Sequence, residues 1–468
     1  MRLRTLLIVS LVATGFVPMQ SHAATPPAIA SVTHYEGDIR GPYTSIYLDD
    51  FSANNVVKFT VSNQSSIIAE STTASANATI VGTTLTFTLP PVLEVSDLNK
   101  VYVTYHSGSD NRDYWIFLNP PKFRPYSYSG DTSALDSKTM LYTPGVFVVA
   151  QKKNQIFYFS RTPNSAYTFK KLRKAAHVKG GEATYAYLVK TDDNRKVTQP
   201  GFWVYLDSTY KMIDSTTVFS VAGVKMQPEG HDITVSPSGN PVVMTYFPRK
   251  VDSNWLSKPY PGPIFDCGIA EIDKKSNAVN SFSTWDYVSA SKKVWKPILD
   301  KTETAIDTST GYTATDWCHI NSLDYDPITS QYIVSFRSLD RIFLLSKDLK
   351  KVNAILYQPG ARQHFARMIN ATTVTALGNY TSESASQLLT WTLKKGKWSL
   401  KKDTLPLHML YCGNINQLSA STYFVGGGCG TATPGTYGYL VSTTTTPWSL
   451  IGSITSSAIP AYRIELTN

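Results

Sequence analysis

The stretch Cys318-His319-Ile320-Asn321-Ser322-Leu323 is followed by a turn that begins at Asp326-Pro327 and by the run Tyr332-Ile333-Val334-Ser335-Phe336-Arg337. A polar residue thus opens a strand, turn residues end it, and a more apolar strand returns. Three other units share this pattern and begin at Gly230, Gln363 and Cys412. Because blades of this kind ring a central channel, the repeat predicts a β-propeller.

The repeat occupies the larger part of the chain. From about Tyr126 to Asn468 there is room for around six blades at the roughly 40 to 50 residues typical of one blade. Earlier alternating runs, such as Val56–Val61 and Thr84–Leu89, predict a small β-sandwich over residues 24–118. Prolines between the predicted sandwich and the predicted propeller indicate a linker over residues 119–125. We therefore predict an all-β chain, with a six-bladed β-propeller over residues 126–468 preceded by a β-sandwich domain.

The first residues predict export. A basic start at Arg2 and Arg4 precedes an apolar run from Thr5 to Val17, and Ser21-His22-Ala23 is a small-x-small cleavage site. Residues 1–23 are thus predicted to be a signal peptide. No later segment approaches the roughly 20 apolar residues of a transmembrane helix, so we expect no membrane insertion.

The charge balance favours anionic ligands. The formal net charge is +10, and removing Arg2 and Arg4 with the signal peptide leaves +8. No dense run of basic residues interleaved with aromatics occurs, so we expect no nucleic-acid groove. A small sulfate or phosphate ester suits this basic net charge better than a nucleic acid does.

All four cysteines lie in the exported part, where an oxidising compartment favours disulfides. Cys412 and Cys429 open and close one predicted hairpin, so we expect them to pair. Cys267 and Cys318 are then paired by elimination. A disulfide or a buried small side chain is also the expected role of Cys318, rather than a catalytic thiol.

His231, His319 and His364 stand at the same position of three repeat units. Because innermost propeller strands present their ends to one channel, we expect these histidines to lie close together. Asn321 stands two residues after His319 on a strand, so both side chains point to the same face. Arg337 ends the next strand, and its fork of N–H donors suits a sulfate or phosphate oxyanion.

Three histidines permit several kinds of site. A zinc or copper site is disfavoured because Arg337 would repel a cation. The one carboxylate in register, Asp232, should also point away from His231. A serine hydrolase is disfavoured because no Gly-x-Ser-x-Gly occurs. The pattern favours an anion site without metal or cofactor, in which one neutral imidazole attacks and the others donate hydrogen bonds or protons.

Several strings resemble the bacterial arylsulfate sulfotransferase (aryl-sulfate sulfotransferase) family. They are Glu229-Gly230-His231-Asp232, residues 316–327, Ser335-Phe336-Arg337 and residues 362–367. Residues 316–327, Asp-Trp-Cys-His-Ile-Asn-Ser-Leu-Asp-Tyr-Asp-Pro, form the most specific of these strings. The resemblance covers about residues 201–430, and the small domain before the propeller fits the family's layout.

The resemblance implies a periplasmic six-bladed propeller that moves a sulfuryl group from a phenolic sulfate ester to a phenol acceptor, without a nucleotide donor. It implies a ping-pong reaction through a sulfohistidine at His364. His231, His319, Asn321 and Arg337 would bind the sulfuryl oxygens and stabilise the transition state. Either His319 or His231 would act as general acid and base, and the sequence does not choose between them.

Phenolic substrates favour aromatic walls, for which Trp317 and Tyr246 are candidates. Phe365 departs from the expected pattern, in which an aspartate follows the histidine. The main alternative is a non-catalytic secreted propeller that binds glycans or partner proteins, since a fold alone does not decide function. A quinone-dependent dehydrogenase would need a calcium-binding carboxylate and a Trp-rich motif in each blade, and neither occurs. Whether the protein forms a homodimer stays open.

Overall fold

The structure, a computed structural model, describes residues 126–467 with short gaps, and before them only the backbone of strands between residues 29 and 119. The gaps are 154, 163, 192–199, 211, 253, 255–261, 292–303, 308–311, 381, 428–435 and 456–460. The predicted signal peptide, linker residues 120–125 and Cys429 lie outside the described residues, so the Cys412–Cys429 pair stays a prediction. In the described part of the chain, no helix is long and apolar enough to cross a membrane.

The strands described before residue 120 form two four-stranded sheets. One contains Ile29–Thr33, Val56–Val61, Thr84–Thr88 and Asn77–Val81, and the other contains Tyr43–Tyr47, Asp110–Asn119, Asn99–Ser107 and Ile67–Ser71. Pairing is antiparallel except between Tyr43–Tyr47 and Asp110–Asn119, which are parallel. Two sheets of this size are what a small β-sandwich requires.

Six sheets then form a six-bladed propeller, which confirms the predicted fold. From the innermost strand outward, blade 1 contains Ile464–Thr467, Thr139–Tyr142, Phe147–Lys152 and Gln155–Arg161; blade 2 contains Ala166–Val178, Gly181–Lys190, Gly201–Leu206 and Met212–Thr216; blade 3 contains Pro228–Val235, Pro241–Arg249, Ile264–Ile272 and Ala278–Ser283. Blade 4 contains Ile320–Asp326, Gln331–Phe336, Arg341–Ser346 and Val352–Tyr357; blade 5 contains His364–Asn370, Thr373–Gly378, Gln387–Lys394 and Lys397–Thr404; blade 6 contains Asn414–Gln417, Thr422–Gly426, Thr436–Ser442 and Ser449–Thr455.

Both ends of the propeller segment close the ring. Ile464–Thr467 is the innermost strand of blade 1, although the rest of that blade lies some three hundred residues earlier in the chain. At the other end, Ser127–Gly130 pairs with Ser449–Thr455 at the outer edge of blade 6. Blades 1 and 6 are therefore each completed by a strand from the opposite end of the segment.

Apolar side chains fill the space between neighbouring blades. Val242 and Met244 of blade 3 share one core cluster with Val334 and Phe336 of blade 4. Because each sheet is covered on both faces by its neighbours, strands such as Pro228–Val235 are buried along their whole length. Burial of both faces holds the innermost strands in fixed positions around the channel.

Blade 3 carries an insertion before the next blade begins. A short helix, Thr284–Ala290, starts at Ser283, whose side chain accepts a hydrogen bond from the Asp286 amide and so caps the helix. The strands Thr304–Asp307 and Tyr312–Thr315 follow, and the second pairs in parallel with Ile264 of blade 3. The insertion leads directly into the turn that carries His319.

Candidate functional site

The three histidines in register lie on, or directly before, the innermost strands of three neighbouring blades. His231 lies within Pro228–Val235, His319 immediately precedes Ile320–Asp326, and His364 begins His364–Asn370. Their exposed fractions are only 2%, 4% and 1%. The His231 and His319 rings meet edge to face, with centroids 5.1 Å apart. The His364 ring lies 6.3 Å from Tyr462, which also contacts His231 at 5.1 Å.

His231 is held by groups on both ring nitrogens. Its Nδ1 lies in a very short contact with a carboxylate oxygen of Glu229, and its backbone N–H donates to the other oxygen of that carboxylate at 2.8 Å. The Tyr167 hydroxyl lies 3.3 Å from Nε2. A carboxylate that accepts from both the ring and the backbone fixes the direction in which the imidazole points.

His319 has the same kind of carboxylate partner. Its Nδ1 lies 2.6 Å from one oxygen of Asp316, and its backbone N–H donates to the other oxygen at 2.8 Å. Burial raises the pKa of Asp316 to about 7, and the charge of Arg337 opposes that rise. The Asp316 carboxyl group that faces the His319 ring therefore titrates near neutral pH.

His364 lacks a carboxylate partner. Its Nδ1 lies 2.7 Å from the side-chain oxygen of Asn379 and 3.0 Å from the Arg362 carbonyl oxygen. Its Nε2 is buried and has no hydrogen-bond partner among the described residues. Burial, and then the positive charge of Arg337, lower the pKa of His364 well below its ordinary value. The imidazole is therefore neutral at pH 7.

Asn321 and Arg337, the other predicted site residues, are also buried. The Asn321 amide nitrogen donates to the Gln363 carbonyl oxygen at 2.7 Å, and its side-chain oxygen is buried without a hydrogen-bond partner. Arg337 begins a short 3-10 helix, and its backbone N–H donates to the His319 carbonyl oxygen at 2.8 Å. Its charge acts on His364 and Asp316, so all five predicted residues belong to one region.

Two carboxylates outside the register of the repeat lie beside the histidines. Glu229 and Asp316 contact two of the rings from two and three residues earlier in the chain. Glu229 stands two residues before His231 on one strand, a spacing at which both side chains lie on the same face. The available signal in the sequence was an acidic residue two positions before His231 and three positions before His319.

A buried ionic cluster supports the site from one side. Asp232 forms ion pairs with Lys170, Arg367 and Arg463 at 2.8, 2.9 and 3.2 Å. Burial opposes ionisation of Asp232, yet these cations hold its pKa far below the ordinary value. Arg463 also donates to the carbonyl oxygens of His231 and Asn321, at 3.3 and 3.1 Å.

Phe365, which departs from the expected sequence pattern, contacts this cluster through its ring. The Arg367 guanidinium lies 3.8 Å from the ring centroid and that of Arg463 lies 5.0 Å from it. A ring face attracts cations, so the uncharged phenyl ring can contact both arginines at the position where an aspartate would contribute a negative charge. A cavity of about 630 Å³ is lined by Lys170 and Arg367 of this cluster, but by none of the three histidines.

The aromatic rings beside the histidines are Tyr167 and Tyr462. They stack on each other at 4.4 Å, and each contacts His231 edge to face. Trp317, one of the two predicted walls, instead packs against Trp285 at 5.2 Å. Tyr167 and Tyr462 come from the beginning and end of the propeller, where the repeat gave no signal.

The predicted pair Cys267–Cys318 is a disulfide and is thereby confirmed. It links the third strand of blade 3 to the turn of His319. In the part of the chain that the structure describes, Cys267, Asp316 and Cys318 form the one group of possible metal ligands within 4.8 Å of one another. Because both sulfurs are in the disulfide, this group offers no thiolate.

Comparison with solved structures gives only weak likenesses. Hydrazine synthase of Kuenenia stuttgartiensis is 11% identical with a TM-score of 0.33, over 64% of this chain and 72% of that chain. A mutant apocarotenoid oxygenase of Synechocystis is 8% identical with a TM-score of 0.34, over 81% and 91%. The WD40 propeller domain of Doa1 is 8% identical with a TM-score of 0.31, over 86% and 94%. Likenesses this weak carry no argument about this protein.

Comparison with protein families is more specific. No curated protein matches the chain. Residues 227–392 match the family model described as Arylsulfotransferase (ASST), and this range contains all five predicted site residues. The match supports arylsulfotransferase activity in general and confirms the resemblance seen in the sequence. The family match over residues 227–392, the part of the chain that carries the three histidines, therefore supports the arylsulfotransferase family.

Proposed function

We propose that this protein moves a sulfuryl group from a phenolic sulfate ester to a phenol through a covalent intermediate on His364. The observation that carries this proposal is the state of His364. Its Nε2 is buried, has no hydrogen-bond partner in the described part of the chain, and belongs to a neutral imidazole. A neutral imidazole nitrogen with a free lone pair is a nucleophile. The family match supports the reaction class.

In the first half-reaction, the lone pair of His364 Nε2 attacks the sulfur of the donor ester. An N–S bond forms, the S–O bond to the phenolate breaks, and the phenolate takes a proton from His319 or His231. Arg337 and Asn321 lie in the same region and would bind the sulfuryl oxygens as charge moves in the transition state. A sulfate monoester carries less charge than a phosphate monoester, so one arginine and imidazole donors suffice.

In the second half-reaction, an acceptor phenol replaces the departed one. The histidine that gave up its proton now takes the proton of the acceptor hydroxyl, and the phenolic oxygen attacks sulfur. The N–S bond breaks, which returns His364 to its neutral form. The Tyr167 and Tyr462 rings would provide an aromatic surface for both phenols.

We propose that the reaction takes place in the periplasm after export through the N-terminal segment. Support comes from the Cys267–Cys318 disulfide, since such bonds persist in oxidising compartments. Fractionation of cells that express the full chain tests this proposal. A disulfide-bonded protein found only in the cytoplasmic fraction would contradict it.

The test of function uses the purified protein, p-nitrophenyl sulfate and a phenol acceptor. We expect nitrophenol release that depends on the acceptor, and a sulfuryl adduct on His364 in the intact mass when the acceptor is omitted. His364→Ala should abolish both signals. His177→Ala is the control, because His177 is a partly exposed histidine of blade 2 outside the site. Absence of turnover with any phenol, or full turnover by His364→Ala, would favour the non-catalytic binding module.

A further inference from the structure

The three histidines of the site differ in the chemical group that faces Nδ1. His231 and His319 face the carboxyl groups of Glu229 and Asp316, whereas His364 faces the carboxamide of Asn379. A carboxylate beside an imidazole favours the protonated ring, because opposite charges attract in a buried site. A carboxamide carries no charge and gives no such preference.

The orientation of the Asn379 amide is fixed by its other contacts. Its nitrogen donates to the Met409 carbonyl oxygen at 2.6 Å and to the Cys412 carbonyl oxygen at 3.0 Å. Carbonyl oxygens only accept hydrogen bonds, so the amide nitrogen must face them and the amide oxygen must face His364. Asn379 is fully buried.

The contacts of Asn379 decide the tautomer of His364. Two oxygens, from Asn379 and the Arg362 backbone, lie within hydrogen-bond distance of Nδ1. Both oxygens are acceptors, so Nδ1 carries the hydrogen. In a neutral imidazole the lone pair is then on Nε2.

We propose that Asn379 is a positioning residue that holds His364 as the neutral tautomer with hydrogen on Nδ1, so that Nε2 is the attacking atom. This inference rests on the proposed function and adds a reason why His364, rather than His231 or His319, is the nucleophile. The carboxyl partners of the other two histidines suit them to give and take protons.

Among the described residues, the groups with the largest effect on the pKa of His364 include no acidic side chain. The groups that face it from the elements packed against it are Arg337, Asn379, His319, His231 and Tyr462. Burial and Arg337 disfavour the imidazolium, and the hydrogen bond to Asn379 opposes them only in part. A carboxylate in place of Asn379 would reverse this balance.

The experiment compares the pH dependence of kcat for the wild-type protein and Asn379→Asp. The new carboxylate should favour imidazolium at His364 and thus block Nε2 until the pH is higher. We expect the acidic limb of the profile to move toward alkaline pH by about 1 to 3 pH units. At pH values below the shifted limb, kcat should be lower than in wild type by about tenfold for each pH unit of the shift, and it should recover at pH values above that limb.

Asn414→Asp is the matched control. Asn414 is as fully buried as Asn379, but its side chain bonds the backbone of Ile464, at 2.7 and 3.2 Å. A buried aspartate there should leave the pH profile of kcat as in wild type. If both variants shift the profile alike, the effect is one of buried charge and the inference is overturned.

A second measurement does not depend on turnover. Nitrogen-15 labelling of histidine in the wild-type protein, with His364→Ala to assign the signal, reports which ring nitrogen carries hydrogen. Hydrogen on Nδ1 of His364 supports the role of Asn379, and hydrogen on Nε2 overturns it, even if Asn379→Asp fails to fold. An inactive wild-type protein with hydrogen on Nδ1 would sink the proposed function and leave the tautomer assignment standing.

Discussion

His319 has a φ of 44°, in the left-handed region that residues other than glycine rarely adopt. Such a conformation costs about 1 to 3 kcal/mol and persists only where the surroundings hold it. Asp316 holds it here, since one carboxylate oxygen accepts from the His319 backbone N–H and the other from its ring. Arg362 and Phe365, which flank His364, have φ values of 45° and 53°. The backbone is thus strained around two of the three histidines.

Asp316→Asn should impair proton transfer. The turn needs two acceptors, and an amide offers one oxygen, so either the His319 backbone N–H or its ring nitrogen loses its partner. We expect kcat with p-nitrophenyl sulfate to fall by about 10²-fold or more, the usual range for loss of general acid–base catalysis. Asp326→Asn is the control. Asp326 is also buried, but it lies at the far end of the strand that His319 precedes, where its carboxylate accepts hydrogen bonds from Thr329. Equal kcat for the two variants would contradict the role of Asp316.

The insertion after blade 3 anchors the turn that carries His319. Strand Tyr312–Thr315 pairs with Ile264 on one side of the turn, and the Cys267–Cys318 disulfide joins the same blade-3 strand to the turn itself. The two Cα atoms are 6.2 Å apart, and the bond closes a loop with a sequence separation of 51 residues. The disulfide therefore limits how far Asp316 and His319 can move away from blade 3.

Replacing both bonded cysteines tests this anchor. Closing a loop of this length stabilises a protein by roughly 2 to 4 kcal/mol. We expect the double variant Cys267→Ser and Cys318→Ser to lose stability on that scale in urea unfolding, with a lower kcat. Reductant should bring the wild-type protein toward the variant and leave the variant unchanged. Equal stability of the oxidised wild type and the variant would show that the bond is not an anchor.

At the scale of the whole molecule, Arg463 connects ring closure to the site. It directly precedes the closing strand Ile464–Thr467, pairs with Asp232, and donates to the carbonyl oxygens of His231 and Asn321. One side chain thus holds the innermost strands of blades 1, 3 and 4 together. Sealing of the propeller and assembly of the histidine site depend on the same contacts.

Arg463→Met should weaken both the closure of the propeller and the assembly of the histidine site. The change removes one partner of a buried ionic cluster, which typically costs about 3 to 5 kcal/mol. We expect a loss of that order in urea unfolding, and a lower kcat measured well below the unfolding midpoint. Lys402→Met, on the exposed outer strand of blade 5, should change neither quantity measurably. A stable but inactive Arg463→Met would contradict the link to ring closure.

The sequence could predict those features of the fold and site that recur at the same position of each repeat unit. Because blades are equivalent, the common position of His231, His319 and His364 implied a common place in space. Glu229 was missed because it stands before the position that the repeat units share, although its spacing of two from His231 puts both side chains on one face. Asn379 was missed because it follows the second strand of blade 5, and only the folded sheet brings it to His364.

Because a protein is synthesised from its N-terminus, His231, His319 and His364 all exist before Arg463 is made. A growing chain can therefore contain all three histidines and still lack Arg463. This arginine joins three of the six innermost strands of the propeller. Tyr462, which lies against two of the imidazoles, also arrives after them. The contacts that join His231 and Asn321 to the start of the closing strand therefore form only after the chain has been made past Arg463.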